Sequence, residues 1–83
     1  MLRNPPPTTS GESPVGEWSA AQEGFVMRVV GSGAFAHRLE ELGVTAGAWI
    51  RVLRPGNPLL VQVGETRLCL RGDEGLKVMG RRV

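Results

Sequence analysis

The chain has 83 residues, 41% of them hydrophobic and 22% charged, with a formal net charge of +2. This is the usage of one small globular domain, and 12 glycines with 6 prolines point to a turn-rich fold rather than a helical bundle. No apolar run approaches the ~20 residues of a membrane-crossing helix, and about 60 ordered residues rarely enclose both a pocket and a supported catalytic constellation.

Residues 1–16, with Pro5-Pro6-Pro7, Thr8, Thr9, Ser10 and Pro14, offer little to bury. They read as a disordered, polyproline-like tail rather than a signal peptide, which leaves 17–83 as the domain. Trp18 is the first large apolar residue. Ser19 and Gln22 have capping-box spacing for one helical turn ending at Gly24, which would pack Trp18 and Ala21 on the domain. Residues 25–30, a β-rich run between Gly24 and Gly31, form the first predicted strand. Gly31-Ser32-Gly33 is then a turn, with Ser32 or Gly33 as N-cap.

From 34 to 42 the apolar period becomes helical. Phe35, Leu39 and Leu42 share one face, His37, Arg38, Glu40 and Glu41 lie mostly on the other, and Gly43 is the expected left-handed stop. Four short β segments follow, at 49–54, 59–63, 66–70 and 76–79. The first two are joined by a turn at Arg54-Pro55-Gly56-Asn57-Pro58, because two prolines do not sit inside a central strand. Gly64-Glu65 fits a tight hairpin with Gly first, and Gly72-Asp73-Glu74-Gly75 fits a single turn capped by Asp73. Five short strands and one small helix bury their apolar face with fewest residues by curling into a small barrel. The predicted fold is therefore mainly β, a small SH3-like barrel of about five strands. One short α-helix after the first strand closes an end of it.

The segment Arg38-Leu39-Glu40-Glu41-Leu42-Gly43-Val44-Thr45-Ala46-Gly47 resembles the signature of the FeoA family, ferrous iron transport protein A. That signature is Arg-Leu-x-Glu-Leu-Gly, a hydrophobic residue, two variable positions and Gly. Trp18 and Ala21 stand where the family usually has two leucines before a glycine, here Gly24. Trp49, Ile50, Val52, Asn57-Pro58-Leu59, Val61 and Val63 follow its strand–turn–strand pattern. Leu68-Cys69-Leu70-Arg71 and Glu74 resemble its Leu-Ala-Leu-Arg and later Glu, so the likeness covers about residues 18–79. The chain departs from the pattern in a shorter turn at Arg54–Pro58, in Gly75 where the family prefers Ala, and in the ending Gly80-Arg81-Arg82-Val83.

The resemblance implies a non-enzymatic accessory or regulatory protein of bacterial ferrous iron uptake. It would dock on the cytoplasmic part of the FeoB-type Fe(II) permease, a membrane GTPase, and meet the membrane only through that partner. The alternative is a metal-sensing, transition-metal-binding SH3-like regulatory domain of the kind appended to metal-dependent repressors, although no DNA-binding helix pair precedes it here.

The residues themselves limit the chemistry. Cys69 is the one cysteine and cannot close an intrachain disulfide, which makes the cytoplasm the default location. It reads as a small residue filling a barrel position. His37 is the metal candidate, with Glu40 at i+3 or Glu41 at i+4 able to face the same cation. No paired Cys/His spacing accompanies it. A weak site for a divalent transition metal, Fe2+ or Zn2+, within one chain or shared between two chains of a homo-oligomer, is the most these ligands support, and no cofactor is required. Gly31-Ser32-Gly33 lacks the Lys of a phosphate-binding loop and reads as a turn. Arg51, Arg54, Arg67 and Arg71 on successive strands form a positive face. Without interleaved base-stacking aromatics, that face suits an acidic protein surface or membrane head groups as well, and nucleic acid is not an expected partner. Protein contact is the remaining use, with Arg38 and Glu41 on the helix as candidate partner-binding residues.

Overall fold

In the computed structural model, which describes residues 11–31 and 33–83, six strands form one antiparallel sheet. The strands are β1 (Glu12–Pro14), β2 (Glu23–Val29), β3 (Trp49–Arg54), β4 (Leu59–Val63), β5 (Thr66–Leu70) and β6 (Val78–Arg82). The helix α1 (Ala34–Glu41) follows β2, and single 3-10 turns occupy Val15–Glu17 and Glu74–Leu76. The order across the sheet is β1-β6-β2-β3-β4-β5. The mainly β, SH3-like expectation with one short helix holds, with one strand more than expected.

That extra strand lies in the segment read as tail. Glu12, Ser13 and Pro14 pair with Arg81, Gly80 and Met79 of β6, and Val15 is fully buried. The reason is local. Trp18 is 2% exposed, and its indole N–H donates to Ser13 Oγ at 2.9 Å, which ties the strand to a core residue. Arg28 fixes the other end, donating to both carboxylate oxygens of Glu12. One apolar side chain and one ladder therefore order a stretch that composition marks as featureless. The rest of the expected tail, 1–10, and Ser32 lie outside the described residues; Gly33 is the helix N-cap.

Period-2 burial is clean in β3, β4 and β5. Ile50 and Val52, then Leu59, Val61 and Val63, then Leu68 and Leu70 point inward and meet Val15, Trp18, Val26 and Val78 in one core. Gly24 and Gly80 let the strands and Trp18 approach closely. A side chain on Gly24 would collide with the Arg81 carbonyl, and a Cβ on Gly80 would stand 3.0 Å from the Trp18 ring. The β4–β5 hairpin turns at Gly64, whose φ of 59° beside an ordinary Glu65 is the Gly-first geometry expected.

The sheet is not closed into the cylinder expected, since β1 and β5 are its two free ends. The two 3-10 turns span that seam instead, packing Gly16 against Gly75. The second turn also differs from expectation. Asp73 occupies its N-cap position without a side-chain hydrogen bond, while Glu74 Oε1 accepts from the Arg71 N–H at 2.9 Å. The helical turn expected at Ser19 is a reverse turn with Ala21 at φ 71°. Gln22 Oε1 accepts the Ser19 N–H as capping-box spacing requires, but Ala21 is exposed.

Helix α1 seats Leu39 (1% exposed) in the core and packs Phe35 against it. Leu42, expected on the same face, is 38% exposed. Gly43 at φ 94° reverses the chain, the Val44 N–H donates to Leu39 O and the Gly43 N–H to Glu40 O. This is a Schellman ending, which buries the residue after the glycine with the one three positions inside the helix end. Val44 thus takes the place that periodicity assigns to Leu42.

Candidate functional site

Helix α1 presents His37 to solvent. Its Nδ1 lies 3.7 Å from Glu41 Oε2, with both side chains about two-thirds exposed. Glu40 and His37 both line an open depression of about 460 Å³, beside Val29, Val44 and Thr45. Among the described residues no three His, Cys, Asp or Glu side chains converge to hold a metal ion. Two donors on one helix turn fall short of the four that a structural zinc takes. Cys69 adds nothing to them. It is exposed, contrary to its reading as a buried filler, because Leu68 and Leu70 take the inward phase of β5.

Arg38 and Glu41 are not brought together. Arg38 reaches off the helix to Glu74 Oε2 at 3.6 Å, and its guanidinium lies 5.8 Å from the Phe35 ring centroid. Lys77 Nζ lies 5.4 Å from the same centroid. Rather than pairing along the helix, Arg38 enters a tertiary contact centred on Glu74, which joins α1 to the second 3-10 turn. Sequence reading missed that role. The signal was the three-residue spacing from Arg71 to Glu74, the same spacing that places Gln22 on Ser19.

The outward side of the sheet carries the chain's basic character. Arg51, Arg54, Arg67 and Arg71 are all exposed, and register places Arg51 opposite Gln62 and Gln62 opposite Arg67. An aromatic pair lies beside Arg51 on this face. Trp49 shares the phase of Arg51 on β3 and pairs across to Phe25 on β2, which in turn faces Arg81 on β6. The alternation Trp49-Ile50-Arg51-Val52 already placed ring and guanidinium on one face; the pairing with Phe25 needed the sheet.

On the same face Arg28 makes a paired contact with Glu12, at 3.3 Å from Nε to Oε2 and 3.2 Å from Nη2 to Oε1. The hydrogen bond and then the charge of Glu12 raise the Arg28 guanidinium above its ordinary value. The pair acts as a clasp for β1 rather than a reactive group.

Residues 14–82 match the family model described as FeoA domain. The fold superposes on a crystal structure of an iron uptake regulatory protein (FeoA) with a TM-score of 0.80. The two are 27% identical, over 87% of this chain and 99% of that one. The FeoA of Stenotrophomonas maltophilia, solved as a zinc complex and described as an SH3 domain protein, is 35% identical. That match spans 83% of this chain and 96% of its own, with a TM-score of 0.70. The T. acidophilum IdeR matches at a TM-score of 0.80 but only 15% identity, with 37% of its length covered, which is a likeness of fold alone. No curated protein sequence matches the chain.

Proposed function

The chain belongs to the FeoA domain family, small domains associated with ferrous iron transport and not a known enzyme class, and on that premise we propose that it is a non-enzymatic accessory protein. It docks on the cytoplasmic part of the FeoB-type Fe(II) permease and modulates uptake, working at the inner face of the membrane through that partner. The observation that carries this reading is the family match over residues 14–82, supported by 35% identity to a solved FeoA. No described helix is long and apolar enough to cross a membrane, so a role beside a permease calls for a binding surface rather than a span. Calorimetric titration of the permease's cytoplasmic domain with the full chain tests it. Saturable binding is the expected result, and no heat at high micromolar concentration overturns it.

A second reading, metal binding, is favoured by one observation, the exposed His37–Glu41 pair. Two donors per chain make half a site, so the reading requires two copies around one Fe(II) or Zn(II). Zinc titration followed by sedimentation checks this. It predicts metal-dependent dimers that the His37→Ala chain does not form, and zinc binding unaffected by that substitution removes it.

A further inference from the structure

The outward face of the sheet gathers an aromatic pair and arginines. The Phe25 and Trp49 rings meet edge to face, with centroids 5.0 Å apart at 80°, and remain 41% and 39% exposed. Arg81 stands opposite Phe25 on β6, and Arg51 follows Trp49 on the same face of β3. Neither arginine takes part in an ion pair among the described residues: Glu23, the cross-strand neighbour of Arg51, forms none with it, and Glu12, the cross-strand neighbour of Arg81, is engaged by Arg28. The pair is not left over from the core, because Gly24, Val26, Ile50 and Gly80 already fill the inward phase of these strands. Clustered exposed aromatics flanked by arginine have the composition of an interaction hot spot.

We propose that this face is a docking site for an acidic protein segment carrying an apolar side chain. The apolar group is set against Phe25 and Trp49, and carboxylates lie against Arg51 and Arg81. Charge complementarity selects the occupant, because a planar guanidinium fork matches a carboxylate with two parallel hydrogen bonds. A bilayer fits less well. Rings that enter the head-group boundary must reach about 5–10 Å into it, whereas these stand on strand residues in mid-sheet beside Glu23. Nucleic acid fits less well too, because stacking needs an open ring face and the edge-to-face pair occupies one. The identity of the segment, a stretch of the permease's cytoplasmic part, rests on the function proposed above; the chemistry of the face does not.

Trp18 is buried and Trp49 exposed, so a change in solvent quenching of tryptophan fluorescence reports on this face. The full chain is titrated with a short Asp/Glu-rich peptide containing one central Phe, with its Lys-rich counterpart, with anionic phosphatidylglycerol vesicles and with a single-stranded oligonucleotide. The acidic peptide is expected to blue-shift and protect Trp49, and the Lys-rich one to do neither. Affinity should fall about tenfold in Trp49→Ala and again in the Arg51→Gln, Arg81→Gln chain, which touches no core residue. Protection by vesicles or oligonucleotide but not by the acidic peptide overturns the proposal, as does no response to any of them. In a parallel titration with the permease's cytoplasmic domain, binding that none of these substitutions weakens places docking elsewhere and overturns the proposal while the permease reading stands. Absence of binding by the unaltered chain, with the peptide response intact, removes the permease reading and leaves the site.

Discussion

Gly16 and Gly75 meet backbone to backbone at the seam between the two free ends of the sheet. A Cβ on Gly16 would lie 2.9 Å from the carbonyl carbon of Gly75, and one on Gly75 would lie 3.1 Å from Gly16 Cα and 2.8 Å from Leu59 Cδ2. Position 75, where the FeoA pattern prefers Ala, is crowded here by the facing turn, so that a methyl group fits only if its neighbours shift. Gly75→Ala should cost about 1–2 kcal/mol, because the Leu59 methyl can swing aside. Gly16→Ala meets backbone and should cost more. Urea denaturation of both variants checks the order, and equal or reversed losses would show that the seam yields.

Trp18 connects the first strand to the core, through its bond to Ser13 and its contact with Gly80. Trp18→Ala should cost about 3–5 kcal/mol, enough to unfold a marginal domain. Ser13→Ala leaves the ring in place and the indole N–H without its partner, at a cost of about 1–2 kcal/mol. Its signature is faster amide exchange in β1 with little change in β4 and β5. Uniform acceleration across the sheet would contradict this account.

Leu39 and Leu42 lie one helical turn apart and look equivalent in the sequence, but only Leu39 is buried. Leu39→Ala should lower stability by about 2–5 kcal/mol, whereas Leu42→Ala should stay within about 0.5 kcal/mol. Thermal melts separate the two. Comparable losses would mean that the Schellman ending does not direct Val44 inward as described.

Glu74 holds both Arg38 and the Arg71 amide. Its ion pair is half-exposed and worth about 0–1 kcal/mol, so Arg38→Ala should be nearly silent. Glu74→Ala also strips the amide of its acceptor and should cost about 1 kcal/mol more. Amide exchange at Arg71 distinguishes the two, rising in the Glu74 variant alone.

The segments with strong local periodicity were legible before the fold was known. The strands at 49–54, 59–63 and 66–70 show period-2 burial, and α1 ends at Gly43 as its pattern requires. The family signature at 38–47 was legible for the same reason, being contiguous. Strand β1 was not, because Glu12–Pro14 is ordered by contacts with β6, Trp18 and Arg28 rather than by its own composition. Among the candidate helix residues the i, i+4 pairing of His37 with Glu41 was legible, but the partner of Arg38 was not, because Glu74 comes to it from a distant turn.

The sequence by itself determined which residues alternate inward, where the helix stops and which family signature the chain carries, because these depend on neighbours a few positions apart along one chain direction. Tertiary structure decided that the sheet stays open at Gly16 and Gly75, that Val44 rather than Leu42 is buried, and that Phe25 and Trp49 stand together among arginines. Each of these depends on strand register or on the approach of distant turns, and no local pattern of side chains encodes which of two free backbones will meet.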